Sequence, residues 1–501
     1  MFYCRLLTRL IFFIFFVSAS VYAQPPETAD NAQTNRVWEG KSADAPMGYT
    51  LSASINRTLK EHPKIKAAEF EIKKAESEIG IQRGNFFPTF TLQTYAQQIT
   101  TINSRGPSDD DYFDQDINVL NLRLSQTLFQ GFTIFNSYQK SVLNKALAKA
   151  QKNQVKMDLV LETQTHFLTL LKTQEDMKSY EAAVHRLGVN RKAVSAFYEK
   201  KMAPYVAVLQ SEVELADAQQ LLSKAKNKVQ SQKVMLNILL GFPPDMPIDY
   251  VGHLSSGIYD FNLNLTTCMA NAHTNRPEMK ISDIGVEMGK KELAIQTGQF
   301  SPKITANADY YIRNNWYDHD GVTNTGQTYD LDQENTYWTA MIQLQWDFNL
   351  GGRQFYQRGK AVHEIARLRQ NRKSTWDLIT AQVQTHYTTL LEAQGRIDFS
   401  QTALASAREG YKRAQKRYQV QVGTISELLD IQASLTRAEA NCNQATTDYQ
   451  LGLANLYYAM GQQNLTLTES PMPENSPITT MDRNGDQLNR TNHIKHTVRS
   501  R

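Results

Sequence analysis

Gly84-Asn85-Phe86-Phe87-Pro88 returns as Gly298-Gln299-Phe300-Ser301-Pro302, displaced by 214 positions, and that echo decides the fold. Pro63 and Pro277 share the displacement. Further along, Gly131, Gln164, His166, Tyr198, Leu209 and Gly241 recur as Gly351, Gln384, His386, Tyr418, Leu429 and Gly461, now displaced by 220. The six extra residues were therefore added between Pro302 and Gly351. A period this long, present only twice, does not describe a solenoid of short stacked units. It describes a duplicated half-molecule with one elastic loop.

Each half reads helix, strand, loop, strand, long helix, turn, helix. The opening helix runs from Ser52 to Gln82 in repeat one, and its twin runs to Thr297; each is stopped by the Gly and Pro that follow. Phe90, Leu92, Thr94 and Ala96 then alternate with Thr91, Gln93 and Tyr95, and Ile304, Ala306, Ala308 and Tyr310 take the same face in repeat two. Leu120, Leu122, Leu124 and Leu128 alternate on the return strand with Asn121, Arg123, Ser125 and Thr127. Its counterpart alternates Trp338, Ala340, Ile342, Leu344, Trp346 and Phe348 with polar residues. One apolar and one polar face per strand suits a membrane barrel and a soluble sandwich equally. Loops at Thr101 to Ile117 and Arg313 to Asn335 are expected between the strands, and the acids there (Asp109 to Asp111; Asp318, Asp320 and Asp330) read as solvated.

Heptads dominate the rest. Leu428, Leu435, Cys442, Tyr449 and Leu456 fall seven apart, interleaved by Ile431, Ala438, Ala445 and Gly452. Val208, Leu215, Leu222, Val229 and Leu236 repeat the pattern, with Ala218 and Ala225 between. That spacing specifies knobs-into-holes packing, and small residues on the second seam bring backbones close. The preceding helices, Asn136 to Lys201 and Phe355 to Gln421, extend on the order of 100 Å at 1.5 Å per residue. Helices of that length make a fibrous arm or the wall of something hollow.

Residues 1–23 read as a secretory signal: Arg5 and Arg9, an apolar run from Leu10 to Val17, then Val21-Tyr22-Ala23 as cleavage site. Removing those two arginines leaves 52 basic residues against 50 acids, a balance that implies no nucleic-acid partner. The mean hydropathy of −0.49 agrees with the lack of a second long apolar run. Cys4 precedes the apolar run and cannot be a lipid-modified residue after cleavage, while Cys268 and Cys442 are too few for a disulfide framework. Residues 24–46 read as a linker, 47–250 as repeat one, 251–465 as repeat two, and 466–501, with Pro471, Pro473 and Pro477, as a disordered tail.

No phosphate loop, HExxH or nucleophile elbow is present, so neither an enzyme nor a cofactor is expected. His166 and His386 read as inherited packing residues rather than metal ligands, and Asp482 to Asp486 lacks the distal glutamate of a calcium loop. The helix-joining turns differ between repeats: Met202-Ala203-Pro204-Tyr205 in one, Val422-Gly423-Thr424-Ile425 in the other. Glu427 and Asp430 share a helical face just after the second turn, where Ala207 and Gln210 stand in repeat one. Capping by Thr424 or Ser426 would account for acids at that place without any function.

In this order, Asn85-Phe-Phe-Pro88, Leu128-Phe-Gln-Gly-Phe132 with Phe348-Asn-Leu-Gly-Gly352, and Val422-Gly-Thr through Leu428-Leu-Asp430 resemble the TolC family of outer-membrane export ducts, from about Met47 to Gln463. The resemblance implies an α+β chain with four strands per subunit, twelve in a homotrimer, closing a membrane β-barrel in outer-membrane lipid. It implies a long α-helical coiled-coil barrel continuing across the periplasm. It places Glu427 and Asp430 at a periplasmic pore constriction. Met202, Ala203, Pro204 and Tyr205, with Val422, Gly423, Thr424 and Ile425, become tips that dock a periplasmic adaptor (membrane fusion) protein. The family's basic latch residue has no counterpart between Gly423 and Glu427, which leaves open closure by a different latch or a looser resting state. An inner-membrane ABC transporter would make the duct part of type I protein secretion, the favoured reading from the polar tail and the missing lipidated cysteine. A proton-driven pump would make it a multidrug efflux component. A soluble periplasmic scaffold or adhesin is the reading from another class.

Overall fold

The computed structural model describes residues 48–104, 110–254, 264–317, 321–322, 328–329 and 331–462. The expected signal peptide, linker and C-terminal tail, and Asp109, Asp318, Asp320 and Asp330, lie outside the described residues. Repeat one comprises α1 (Leu51–Glu61), α2 (Pro63–Gly84), β1 (Thr89–Ser104), β2 (Asp110–Gln130), α3 (Thr133–Glu199) and α4 (Tyr205–Leu239). Repeat two comprises α5 (Leu265–Asn275), α6 (Pro277–Gly298), β3 (Lys303–Tyr317), the two-residue β4 (Gly321–Val322) and β5 (Thr328–Tyr329), β6 (Gln333–Gln345), α7 (Arg353–Gln419) and α8 (Ile425–Ala459).

The single opening helix expected in each repeat is two helices. Proline fixes its own φ and keeps the residue before it out of helical space, so the break falls one residue ahead of Pro63 and Pro277. His62 (ψ 131°) and Arg276 (ψ 123°) are accordingly extended. The repeats secure these breaks differently. In repeat one, Arg57 donates to the Leu240 carbonyl at 3.1 Å and lies over the Phe242 ring. In repeat two, the buried Arg276 donates to the Tyr458 carbonyl and to Gln382, each at 3.0 Å. Its Nε sits 3.1 Å from Glu278 Oε2, an ion pair too bent to be a hydrogen bond. The largest core gathers here, around Ile55, Phe167, Leu171, Leu236, Tyr250, Leu390 and Tyr449.

The long helices α3 and α7 contain 67 residues each. The coiled helix α4 packs on α3, and α8 packs on both α7 and α3. Leu428, Leu435, Tyr449 and Leu456 are buried, as their heptad requires, and Cys442 is half-buried. In repeat one only Val208 and Leu236 of the first seam are buried, because α4 has no second helix comparable to the α3 that α8 leans on. Helices α4 and α7 are thus the open edges of the helical body.

The four-stranded antiparallel sheet has the order β1-β2-β3-β6 and ends in two unpaired edges. The expected loops shrink, because β1 and β2 pair out to Ser104 and Asp110, and β3 and β6 pair from Asn315 and Gln333 inwards. Asp110 and Asp111 therefore belong to a strand. Register confirms the alternation: Leu92, Leu122, Tyr310 and Trp338 stand in one row on one face. Thr91, Arg123, Asp309 and Thr339 form the next row, on the other face. Two details depart from the alternation. Leu128 falls at a bulge between Thr127 and Phe129, which puts Phe129 opposite Ile304 on the apolar face. Trp346 and Phe348 lie beyond the end of β6, where Trp346 Nε1 donates to the Phe300 carbonyl at 3.1 Å.

Candidate functional site

Neither face of the sheet is covered along β6, where Trp338 is 75% and Ile342 74% exposed. Burying such an apolar row needs lipid or protein, and a lone sheet with open edges supplies neither. The opposite face is hydrophilic and internally paired. Arg123 bridges to Asp309, Ser125 Oγ donates to Asn307 Oδ1 at 2.7 Å, and Tyr311 stacks on Tyr337 at 5.0 Å between centroids. An apolar outside and a wet inside are what a transmembrane barrel strand requires. Among the described residues no helix is long and apolar enough to cross a membrane.

At the far end of the helices, both hairpins close alike. Lys201 (φ 58°) and Gln421 (φ 62°) take the left-handed conformation that ends α3 and α7. Met202 N then donates to the Phe197 carbonyl, and Val422 N to that of Arg417. These crossed bonds satisfy the last helical carbonyls. Pro204 and Thr424 then open α4 and α8 from extended backbone, and only Thr424 caps with its side chain, accepting from Glu427 N at 3.2 Å. The capping role expected for that threonine is therefore real. Met202, Pro204, Tyr205, Val422 and Thr424 are exposed, and Ala203, Gly423 and Ile425 are half-buried. The two tips touch where Gln421 Nε2 approaches Met202 Sδ at 3.8 Å.

Glu427 and Asp430 occupy different electrostatic settings. Arg417 Nη1 donates to Glu427 Oε1 at 2.7 Å, so a basic partner exists after all, on the preceding helix rather than in the turn. Gly423 leaves room for the pair: a Cβ there would stand 3.3 Å from Arg417 Cβ and 3.5 Å from Glu427 Oε2. Asp430 is exposed and lies close enough to Glu214 of α4 to disfavour its charge. Partial burial, with Asp217 and Asp430 nearby, pushes the Glu214 carboxyl above the ordinary carboxylate value. Glu214 and Asp217 border a cavity of about 310 Å³ between α4 and α8, floored by Tyr180, Ala183 and Leu187 of α3.

Deeper in, Arg186 of α3 ties the hairpins together. Its Nε donates to Gln432 Oε1 at 3.0 Å, its Nη2 to Glu439 Oε2 at 3.1 Å, and its guanidinium lies over the Tyr411 ring. Asp176 of the same helix accepts from Lys172 and from Asn443 of α8. Sequence reading missed Arg186, Asp176 and Arg417 because the duplication does not carry them: their equivalents are Ser406, Arg396 and Phe197. His166 and His386 serve packing, the first bonded to Gln232 and the second lowered in pKa by burial and then by nearby Arg276. Among the described residues no group of three His, Cys, Asp or Glu could hold a metal ion.

The sequence matches the family described as outer membrane efflux protein over residues 54–242 and 269–462, and the chain belongs to that family. No curated protein sequence matches it. Among the solved structures that share its fold are three outer-membrane proteins. The outer-membrane channel OprN has 15% identity and a TM-score of 0.70, covering 83% of this chain and 90% of its own. VceC of Vibrio cholerae has 17% identity and a TM-score of 0.66, covering 82% and 96%. The Campylobacter jejuni channel CmeC has 14% identity and a TM-score of 0.68, covering 82% and 85%. The resemblance read from the repeats is thereby upheld: this is an outer-membrane channel protein of that family, and not an enzyme.

Proposed function

We propose that three copies of the chain form the exit duct of a tripartite export system, closing a twelve-stranded barrel that continues as a helical tunnel. One observation carries this reading: a sheet with an apolar face, a polar face and two unpaired edges, mounted on helices of 67 residues. Such a sheet is stable in lipid only if its edges find partners. The two hairpin tips are the docking points for a periplasmic adaptor, and Glu427 and Asp430 lie at the constriction.

Type I protein secretion through an inner-membrane ABC transporter is the favoured system. The inward face, lined by Arg123, Asp309, Tyr311 and Arg313, suits an extended polypeptide better than an apolar drug. The family's description as efflux proteins supports the alternative, a proton-driven multidrug pump. Purified protein in planar bilayers tests the duct itself. A stable conductance altered in size and cation preference by Glu427→Ala/Asp430→Ala is expected, together with trimers that dissociate only on heating. A soluble monomer without conductance would refute the reading.

A further inference from the structure

Helices α1 and α5 add a second layer to α3 and α7. Thr163 Oγ1 approaches Thr58 Oγ1 at 3.4 Å, and Trp376 packs edge-on against the His273 ring. In a conduit that layer must stand outside, because three copies of it inside would fill the bore. Thr163 and Trp376 therefore mark the outer face of the two long helices. Counted back along α3 at helical spacing, the same face carries Lys156, Lys152, Lys149 and Lys145, a stripe roughly 16 Å long. Helix α2 lies alongside and contributes Glu69, Lys73 and Glu76.

Two ion pairs cross this seam, Lys152 to Glu69 and Lys145 to Glu76, each at 2.8 Å. They leave charge over. The Lys152 hydrogen bond holds the Glu69 carboxyl below the ordinary carboxylate value, and Lys156 and Lys73 add to it. Lys145 does the same for Glu76, helped by Lys149 and Lys73. Two carboxylates are thus shared among five ammonium groups, and Lys73, Lys149 and Lys156 have no ion-pair partner among the described residues. Repeat two keeps the surplus with other residues. Arg372 pairs with Asp283, and Lys290 with Glu287 at 2.6 Å. Lys280, Arg369 and Arg358, which stands where repeat one has Tyr138, are exposed and without an ion-pair partner among the described residues. Each repeat therefore presents three unpaired cations in this collar. The whole mature chain has 52 basic residues against 50 acids, so the surplus is concentrated here.

We propose that this collar binds the cell wall, the carboxylate-bearing peptidoglycan mesh that a tube crossing the periplasm must thread. The inference rests on the duct reading and adds a partner to the outside of the tunnel. An exposed ion pair is worth little on its own, so a single small anion would gain almost nothing here. A polymer that repeats its carboxylates makes every contact after the first intramolecular, and many weak pairs then add up. Flexible lysine stems carrying point charges also suit an irregular ligand, whereas one fixed carboxylate would call for a bidentate arginine. Set around a ring in three copies, these cations match a mesh that surrounds the tube better than one globular partner. Binding of this kind depends on charge alone, so salt should release it.

The test mixes purified full-length protein in mild detergent with sacculi stripped of bound protein by protease, and reads the fraction that sediments. Parent protein should sediment at about 0.05 M salt and stay in solution at about 0.5 M. Sacculi whose carboxylates have been amidated should not retain it. In Lys149→Glu/Lys280→Glu/Arg369→Glu the bound fraction should fall at least about tenfold, while trimer yield and conductance in planar bilayers match the parent. Trimeric parent that stays in solution, or that binds amidated sacculi or survives the triple variant undiminished, would overturn the collar and leave the duct standing. Retention by unstripped sacculi alone would point to a wall-bound acidic protein and overturn it too. The salt and amidation arms use the parent only, so they decide even if the variant does not assemble. Parent protein with neither trimer nor conductance would instead sink the duct reading.

Discussion

At the end of its hairpin repeat two carries Arg417, Gly423 and Glu427 where repeat one carries Phe197, Ala203 and Ala207. The backbones there match turn for turn, down to the left-handed Lys201 and Gln421. What differs is chemistry: one tip is closed by packing and proline, the other by an ion pair beside a capped helix. The same division recurs at the helix breaks, where repeat one places its arginine at 57 and repeat two at 276. A duplicated scaffold has kept its backbone geometry and has changed the charges set upon it.

The comparison breaks hardest at the helix breaks. Arg276→Ala strands the Glu278 carboxylate and the Tyr458 carbonyl in the core, and we expect a loss of about 3–5 kcal/mol in denaturant unfolding. Arg57→Ala removes one carbonyl bond and a ring contact at a wetter site, for about 1–2 kcal/mol. Equal losses would mean that the repeats are anchored alike. Next comes Arg186→Ala, which cuts α3 from α8. Hydrogen exchange over 425–439 should accelerate by roughly tenfold or more, corresponding to about 1.5 kcal/mol or above, while 205–218 changes little.

Arg417→Gln probes the tips. The exposed ion pair contributes little to stability. Its removal leaves Glu427 uncompensated at the proposed constriction, so cation preference in bilayers should rise and return to the parent value in Arg417→Gln/Glu427→Gln. The smallest effect belongs to Glu214→Gln. A carboxyl whose folded pKa is raised destabilises the fold once it ionises, so its contribution worsens as pH climbs from the unfolded value through the folded one. Glu214→Gln should therefore stabilise α4 by less than about 1 kcal/mol at neutral pH and by nothing in acid, read as the difference between two pH-dependent melting curves.

Much of this was legible before any coordinates. Alternation sorted the strand faces correctly because successive strand side chains point to opposite faces whatever the partner is. The heptads of α8 found its buried seam for the same local reason. Pro63 and Pro277 were visible as repeat markers, and their meaning as helix breaks was local too, since the restriction acts on the preceding residue. The sheet edges were placed too early because polar strand ends look like loops when pairing partners are unknown. Thr424 as a cap could be read from its position; the partner of Glu427 could not, being ten residues back on another helix.

The amino-acid sequence determined the duplication, the order of elements, the length of the helices and which strand face is apolar. Each follows from spacing along the chain and needs no knowledge of what lies beside it. Tertiary structure alone decided that Gly298 must be glycine and that Arg186 and Arg417 are the charges tying hairpin to hairpin and tip to tip. Those facts depend on distances between residues remote in sequence, which identical spacing in the two repeats does not fix. Gly84 and Gly298 read the same along the chain, and only their surroundings show that Gly298 lies against Gly131 while Gly84 faces open space.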